Sequence, residues 1–272
     1  MIKTPHDSPS YSGMQSDGNQ AASFIPTLYN TFQSAGITNV SLTCCDSIGW
    51  PGQRTMTSQL ISAGVEKYLG VITSHAYQGD PNSPINTKLK TWQTEACDLN
   101  SRWCTTWYSN GGACEGLTWA NKIHTGIVNA NLSAYIYWQG FERNQFQASS
   151  YLVASDGKTV TPSGRLWAFA MWSRFVRPGA RRVSSSGSIN GVGYGAFKNL
   201  DDSVALVFTN TGSGAPSVKI AFSNYTPTSA LAFVTDNSRT VASITATLSG
   251  GAVTVAIPAR AVVTVQLNKV TS

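Results

Sequence analysis

Only four glutamates occur in the 272 residues, Glu66, Glu95, Glu115 and Glu142, and Glu95 is the one set among residues that suit chemistry on a sugar. It closes the run Lys90-Thr91-Trp92-Gln93-Thr94-Glu95, and the polar stretch Ala96-Cys97-Asp98-Leu99-Asn100 follows it. Three more groups of functional type stand at the ends of other apolar runs: Cys45 with Asp46, His75 with Tyr77, and Trp138 with Gln139. Aromatic faces pack against pyranose rings and amides bond to their hydroxyls, so a carboxylate in such company points to glycoside chemistry. A retaining glycosidase places two carboxyl groups about 5 Å apart, one as nucleophile and one as proton donor, and Glu95 would be the nucleophile. Glu95 taken singly reads equally as a residue that marks a strand end, and His75 as a packing or turn residue.

The elements that must position these groups alternate. Gln20 to Ala35 carries apolar residues at helical spacing and precedes Gly36. A strand is expected from Ile37 to Thr43, capped by Cys44-Cys45-Asp46, then a helix over 57–68 and a strand over 69–73. The loop 79–87, the strand that ends at Glu95, a helix over 117–131, a strand over 134–139 and a helix over 165–176 complete the series. Strands and helices in that order imply a parallel sheet with helices outside it. In a β/α barrel the catalytic groups gather at the carboxyl ends of the strands, and that convergence raises Glu95 above a strand-end residue. Beyond Arg177-Pro178-Gly179 short β-rich runs take over: 204–209, 218–222, 230–234, 244–248, 253–257 and 261–267. Turn residues separate them, as in a sandwich. The expected fold is therefore α/β plus all-β, with 1–176 a partial barrel and 177–272 a β-sandwich.

Composition narrows the classes. Hydrophobic residues make up 42% and charged residues 12%, which is the profile of a globular chain. No apolar run approaches the roughly 18 residues of a membrane span, so no membrane role is expected. Lys and Arg outnumber Asp and Glu by eight to three over 177–272 and by eleven to ten before them. The cations are dispersed and no recognition module is present, which argues against nucleic acid and leaves an acidic polysaccharide or a solvated face as the reading. Five cysteines, Cys44, Cys45, Cys97, Cys104 and Cys114, leave at least one outside any disulfide. A disulfide among Cys97, Cys104 and Cys114 would brace the loop after Glu95, and spacing for zinc is lacking; neither a metal nor an organic cofactor is expected. Asn39, Asn131 and Asn224 open Asn-x-Ser/Thr sequons. Trp103, Trp107 and Tyr108 read equally as a sugar platform or as the small core of their loop. Trp167, Phe169 and Trp172 read as helix core, and Arg143 as a loop cation or a contact for an acidic polysaccharide substituent.

Taken together, Trp92-Gln93-Thr94-Glu95-Ala96, His75-x-Tyr77, Tyr135-x-Tyr137-Trp138-Gln139 and the stretch from Arg165-Leu166-Trp167 to Arg177-Pro178-Gly179 resemble glycoside hydrolase family 30, nearest to its fungal xylanase branch. The resemblance implies the C-terminal half of a (β/α)8 barrel, strands five to eight with the end of strand four, followed by a β-sandwich. It further implies retaining hydrolysis of endo-β-1,4-xylan or glucuronoxylan, with β-1,6-galactan or β-1,6-glucan as alternatives. By it Glu95 matches the nucleophile, Tyr77 a tyrosine that bonds to the nucleophile, and Trp138, with His75 and Gln139, the substrate-binding wall. The family's acid/base glutamate lies in an Asn-Glu-Pro motif, and Lys3-Thr4-Pro5-His6-Asp7 puts Thr4 in its place. Threonine cannot protonate a leaving oxygen. The expectation is a truncated chain of a secreted, monomeric enzyme acting on a xylan-like polysaccharide; a catalytically inactive carbohydrate-binding remnant is the competing reading.

Overall fold

The computed structural model describes residues 16–142 and 149–268, and the sequence readings at Thr4 and Arg143 lie outside them. The described residues form two compact units. One runs to Cys97 and resumes over Thr125–Trp138; the other comprises Asp98–His124 and the chain from Gln139 onward.

In the first unit α1 (Gly18–Ser34) starts where the Asp17 side chain accepts the Gln20 amide at 2.8 Å, a cap that satisfies one of the helix's orphan donors. β1 (Leu42–Ser47), α2 (Trp50–Ser62), a 3₁₀ turn (Glu66–Tyr68) and β2 (Leu69–His75) follow. A loop without a helix then leads to β3 (Lys90–Glu95). After an excursion into the other unit the chain returns through the π turn Thr125–Asn129 to β4 (Ala134–Tyr135). The strands form one sheet in the order β1-β2-β3-β4, every pairing parallel. Ile25 of α1, Cys44 and Cys45 of β1, Trp50 and Leu60 of α2, and Ile72 of β2 share one buried core with Leu132.

Two sequence expectations shift here. The strand over 37–43 is Leu42–Ser47 instead: Ile37 and Val40 are 41% and 50% exposed, whereas Cys44 and Cys45 are buried and pair with Ile72 and Thr73. Burial against the partner strand outweighed β-branched content. The helix expected over 57–68 begins at Trp50, with Pro51 in its first turn, where a missing N–H costs nothing.

In the second unit α3 (Gly116–His124) and α4 (Gly164–Ser173) cross at their first residues. A Cβ on Gly116 would lie 2.4 Å from the Gly164 carbonyl oxygen, and one on Gly164 2.1 Å from that of Thr106, so only glycine admits this approach. The hairpin β5 (Val153–Ser155) and β6 (Val160–Pro162) precedes α4. Then come β7 (Arg181–Val183), β8 (Val192–Lys198), β9 (Val204–Asn210), β10 (Ser217–Ile220), β11 (Ser229–Thr235), β12 (Ala242–Ile244), β13 (Ala246–Ser249), β14 (Ala252–Ala256) and β15 (Ala261–Asn268). An antiparallel six-stranded sheet, β12-β11-β15-β9-β8-β7, and a three-stranded one, β10-β14-β13, contribute Leu206, Val234, Val263 and Val265 on one side and Val253 and Val255 on the other to a single core. This is a β-sandwich. The run 244–248, expected as one strand, is two, because the chain passes from one sheet to the other at Thr245. Among the described residues no helix is long and apolar enough to cross a membrane.

Candidate active site

Glu95 is the last residue of β3, and the parallel register sets it against His75, the last residue of β2. Tyr77, two residues further, donates its hydroxyl to Glu95 Oε1 at 2.9 Å, and His75 Nε2 lies 3.7 Å from Oε2. The imidazole and phenol rings meet edge to face, 5.8 Å between centroids. Burial pushes the Tyr77 hydroxyl well above its ordinary pKa of 10.0, and neighbouring Cys97 and Glu95 push it further. It therefore remains a hydrogen-bond donor at any working pH. The Glu95 side chain keeps 23% of its surface, enough for a reacting carbon to approach.

Below the carboxylate the support is polar and dry. Gln93 is fully buried; its Oε1 accepts from the Trp50 indole at 2.7 Å and its Nε2 donates to the Glu95 carbonyl. Thr94 donates to Asp46 Oδ1 at 2.6 Å, tying β3 to the end of β1. The Cys97 thiol stands 3.7 Å from the Tyr77 oxygen. These contacts were not read from the sequence, since partners 43 and 48 residues apart leave no local signal.

The strand expected over 134–139 is only Ala134–Tyr135, yet its ladder goes on: Ile136 and Trp138 donate their amides to the Gln93 and Ala96 carbonyls. Trp138 thus stands beside the residue after Glu95 and is 49% exposed. Glu95, His75, Tyr77 and Trp138 all belong to the first unit, whereas Gln139 belongs to the second, where its Nε2 donates to Glu142 Oε2 at 3.0 Å and Tyr151 donates to the same oxygen at 2.7 Å.

Cys44 is joined to Cys45 and Cys104 to Cys114, with Cys97 outside both disulfides. Trp107 is buried, bonded to the Arg260 carbonyl, and the Arg260 guanidinium lies over Tyr108; both therefore pack against the turn between β14 and β15 rather than forming a core of the loop's own. Trp103 does not share that packing. A buried pair went unread: Arg165, fully buried, faces Asp98 at 3.7 Å. Among the described residues no three His, Cys, Asp or Glu side chains are grouped to hold a metal.

Residues 179–265 match the model of the glycosyl hydrolase family 30 beta sandwich domain. The chain is similar to the catalytic domain of GH30 xylanase C from Talaromyces cellulolyticus, at 46% identity and a TM-score of 0.92 over 98% of this chain and 61% of that one. A GH30 endoxylanase from Clostridium papyrosolvens C71 shares the fold at 22% identity and a TM-score of 0.73, over 96% of this chain and 63% of that one. Glucuronoxylanase XynC of Bacillus subtilis (strain 168) is 24% identical over 156 residues, 57% of this chain and 35% of that protein. The chain thus spans about a third of this curated relative and about three-fifths of the fungal domain.

Proposed function

The chain belongs to glycoside hydrolase family 30, matching the C-terminal part of its members, and from that premise we propose that it serves retaining hydrolysis of a wall polysaccharide, β-1,4-xylan before others, with Glu95 as nucleophile. In this reading the four parallel strands are strands five to eight of a (β/α)8 barrel, with a module border near Val176 and the sandwich after it. The observation that carries it is the Tyr77–Glu95–His75 cluster on two adjacent parallel strand ends, where barrel chemistry is done. Tyr77 orients Oε1, leaving Glu95 to attack the anomeric carbon and form a glycosyl ester that water later opens. Trp138 offers an apolar face for the sugar ring beside it, and Gln139 a polar contact. Proton donation to the leaving oxygen needs a second carboxyl group; the position matched to it, Thr4, lies outside the described residues. Xylan is favoured over β-1,6-linked glucan or galactan by the 46% identity to a xylanase catalytic domain. Action as a secreted monomer belongs to the same proposal.

The test is release of reducing ends from xylan, and of phenol from an activated aryl β-xyloside, whose leaving group needs little protonation. We expect the chain to cleave the aryl xyloside and Glu95→Gln to lose that activity by at least about a thousandfold. Cleavage undiminished in Glu95→Gln would remove the nucleophile. Thr4 at the proton-donor position favours a second reading, carbohydrate binding without hydrolysis. A chain inert on both substrates but retained on xylan would establish it.

A further inference from the structure

A cavity of about 650 Å³ lies within the second unit, lined by Arg102, Trp103, Ser155, Asp156, Thr159 and Thr161. That volume falls in the ~300–1,000 Å³ range of small-molecule sites. One wall is the β5–β6 hairpin, whose turn is held by its own side chains: Asp156 Oδ1 accepts the amides of Lys158 and Thr159 at 2.8 and 2.6 Å, and Ser155 Oγ accepts that of Gly157 at 3.0 Å. The other wall is a two-residue span between anchors. Asp98 Oδ1 accepts the amides of Asn100 and Ser101 on one side, and the Cys104–Cys114 disulfide pins the other. Both walls are thus set before any ligand arrives, which lowers the ordering cost of binding.

The lining combines one indole, two threonine hydroxyls, a guanidinium and a carboxylate. The Trp103 indole N–H is shielded from solvent and meets no acceptor among the described residues. An N–H that water cannot reach is closed to a ligand oxygen as well, so Trp103 offers the cavity its ring rather than its donor. Asp156 uses one carboxylate oxygen for its turn, leaving the other to accept from hydroxyls. The formal charges of Arg102 and Asp156 cancel, so the lining selects neither anion nor cation.

We propose that this cavity binds a neutral glycan segment, with Trp103 packing against a sugar ring while Arg102, Asp156 and the threonines bond its hydroxyls. The inference shares the glycan chemistry of the proposed function but does not depend on hydrolysis. Isothermal titration of the Glu95→Gln chain with xylohexaose, cellohexaose and a glucuronic-acid-bearing xylo-oligosaccharide tests it. Binding of a neutral oligosaccharide is expected, weakened at least about tenfold by Trp103→Ala and less by Asp156→Asn, which retains the turn-forming oxygen. Circular dichroism checks that Trp103→Ala folds; if it does not, Arg102→Ala and Thr161→Ala, both at exposed positions, take its place with the same expectation. No binding, binding indifferent to these changes, or binding of the acidic oligosaccharide alone would overturn the assignment. A chain that hydrolyses xylan with titrations indifferent to Trp103 loses the cavity but keeps the proposed function; one that binds through Trp103 without hydrolysing has the reverse outcome.

Discussion

At Glu95 the Tyr77 hydroxyl and the His75 imidazole address different oxygens, the first at 2.9 Å and the second at 3.7 Å. Only the first is a hydrogen bond in length, so Tyr77 carries the orientation of the carboxylate. A hydrogen bond to a charged group is worth about 1.5–3 kcal/mol, which corresponds to roughly ten- to a hundredfold in rate. Tyr77→Phe is expected to lower kcat on the aryl xyloside by that factor with an unchanged circular dichroism spectrum. The same residue scale shows what could be read in advance. Glu95 and His75 end their strands and Tyr77 follows His75 by two residues, and strand ends are set by local composition. Asp46 carries the same strand-end mark, but the bond it accepts from Thr94, like the bracing by Gln93 from beneath, depends on other elements and leaves none.

Between elements, the buried Asp98–Arg165 pair joins the loop ahead of α3 to the first turn of α4 within the second unit. Removing one member of such a pair leaves the other charge buried and uncompensated, a cost of about 3–5 kcal/mol. Asp98→Asn, which retains the oxygen that accepts the Asn100 and Ser101 amides, is expected to destabilise by that amount in chemical denaturation. Adding Arg165→Met should return part of the loss, since no buried charge then remains. Sequence reasoning put Arg165 at the start of a helix and Asp98 in a loop, and both placements agree with the structure. Their meeting could not be read, because it depends on the Gly116–Gly164 crossing that brings α3 and α4 together.

Over the whole molecule, pH acts most clearly through His124, at the end of α3. Its ring lies so close to β8 that a Cβ on Gly193 would come within 2.4 Å of Nε2. Burial, and then the charge of Arg182, hold its pKa at about 4, below the ordinary 6.5. The folded protein therefore resists protonation that the unfolded chain accepts. Stability is full above pH 6.5 and falls as pH drops toward 4, by on the order of 3 kcal/mol. Thermal melts across that range should show the decline, and His124→Gln should flatten it. Glu115 acts in a lower window: against burial, the Ser109 hydroxyl and the Ser109, Asn110 and Gly111 amides hold its carboxyl at about 2, so its contribution is lost only as pH falls below about 4.5.

Periodicity, turn residues and strand-end chemistry are local properties, and from them the sequence by itself determined the alternation of the first half, the sandwich strands of the second and the position of Glu95 at a strand end. The tertiary structure decided whatever depends on register and packing between distant segments. Parallel pairing of β2 with β3 sets His75 against Glu95; one step of slip would turn the side chains to the opposite face. Packing of the loop selected Cys114 as the partner of Cys104, and it separated Trp107 and Tyr108, which pack against the β14–β15 turn, from Trp103, which lines a cavity. Three aromatic residues within six positions are alike as sequence, and only the surfaces that other elements bring against them make them different.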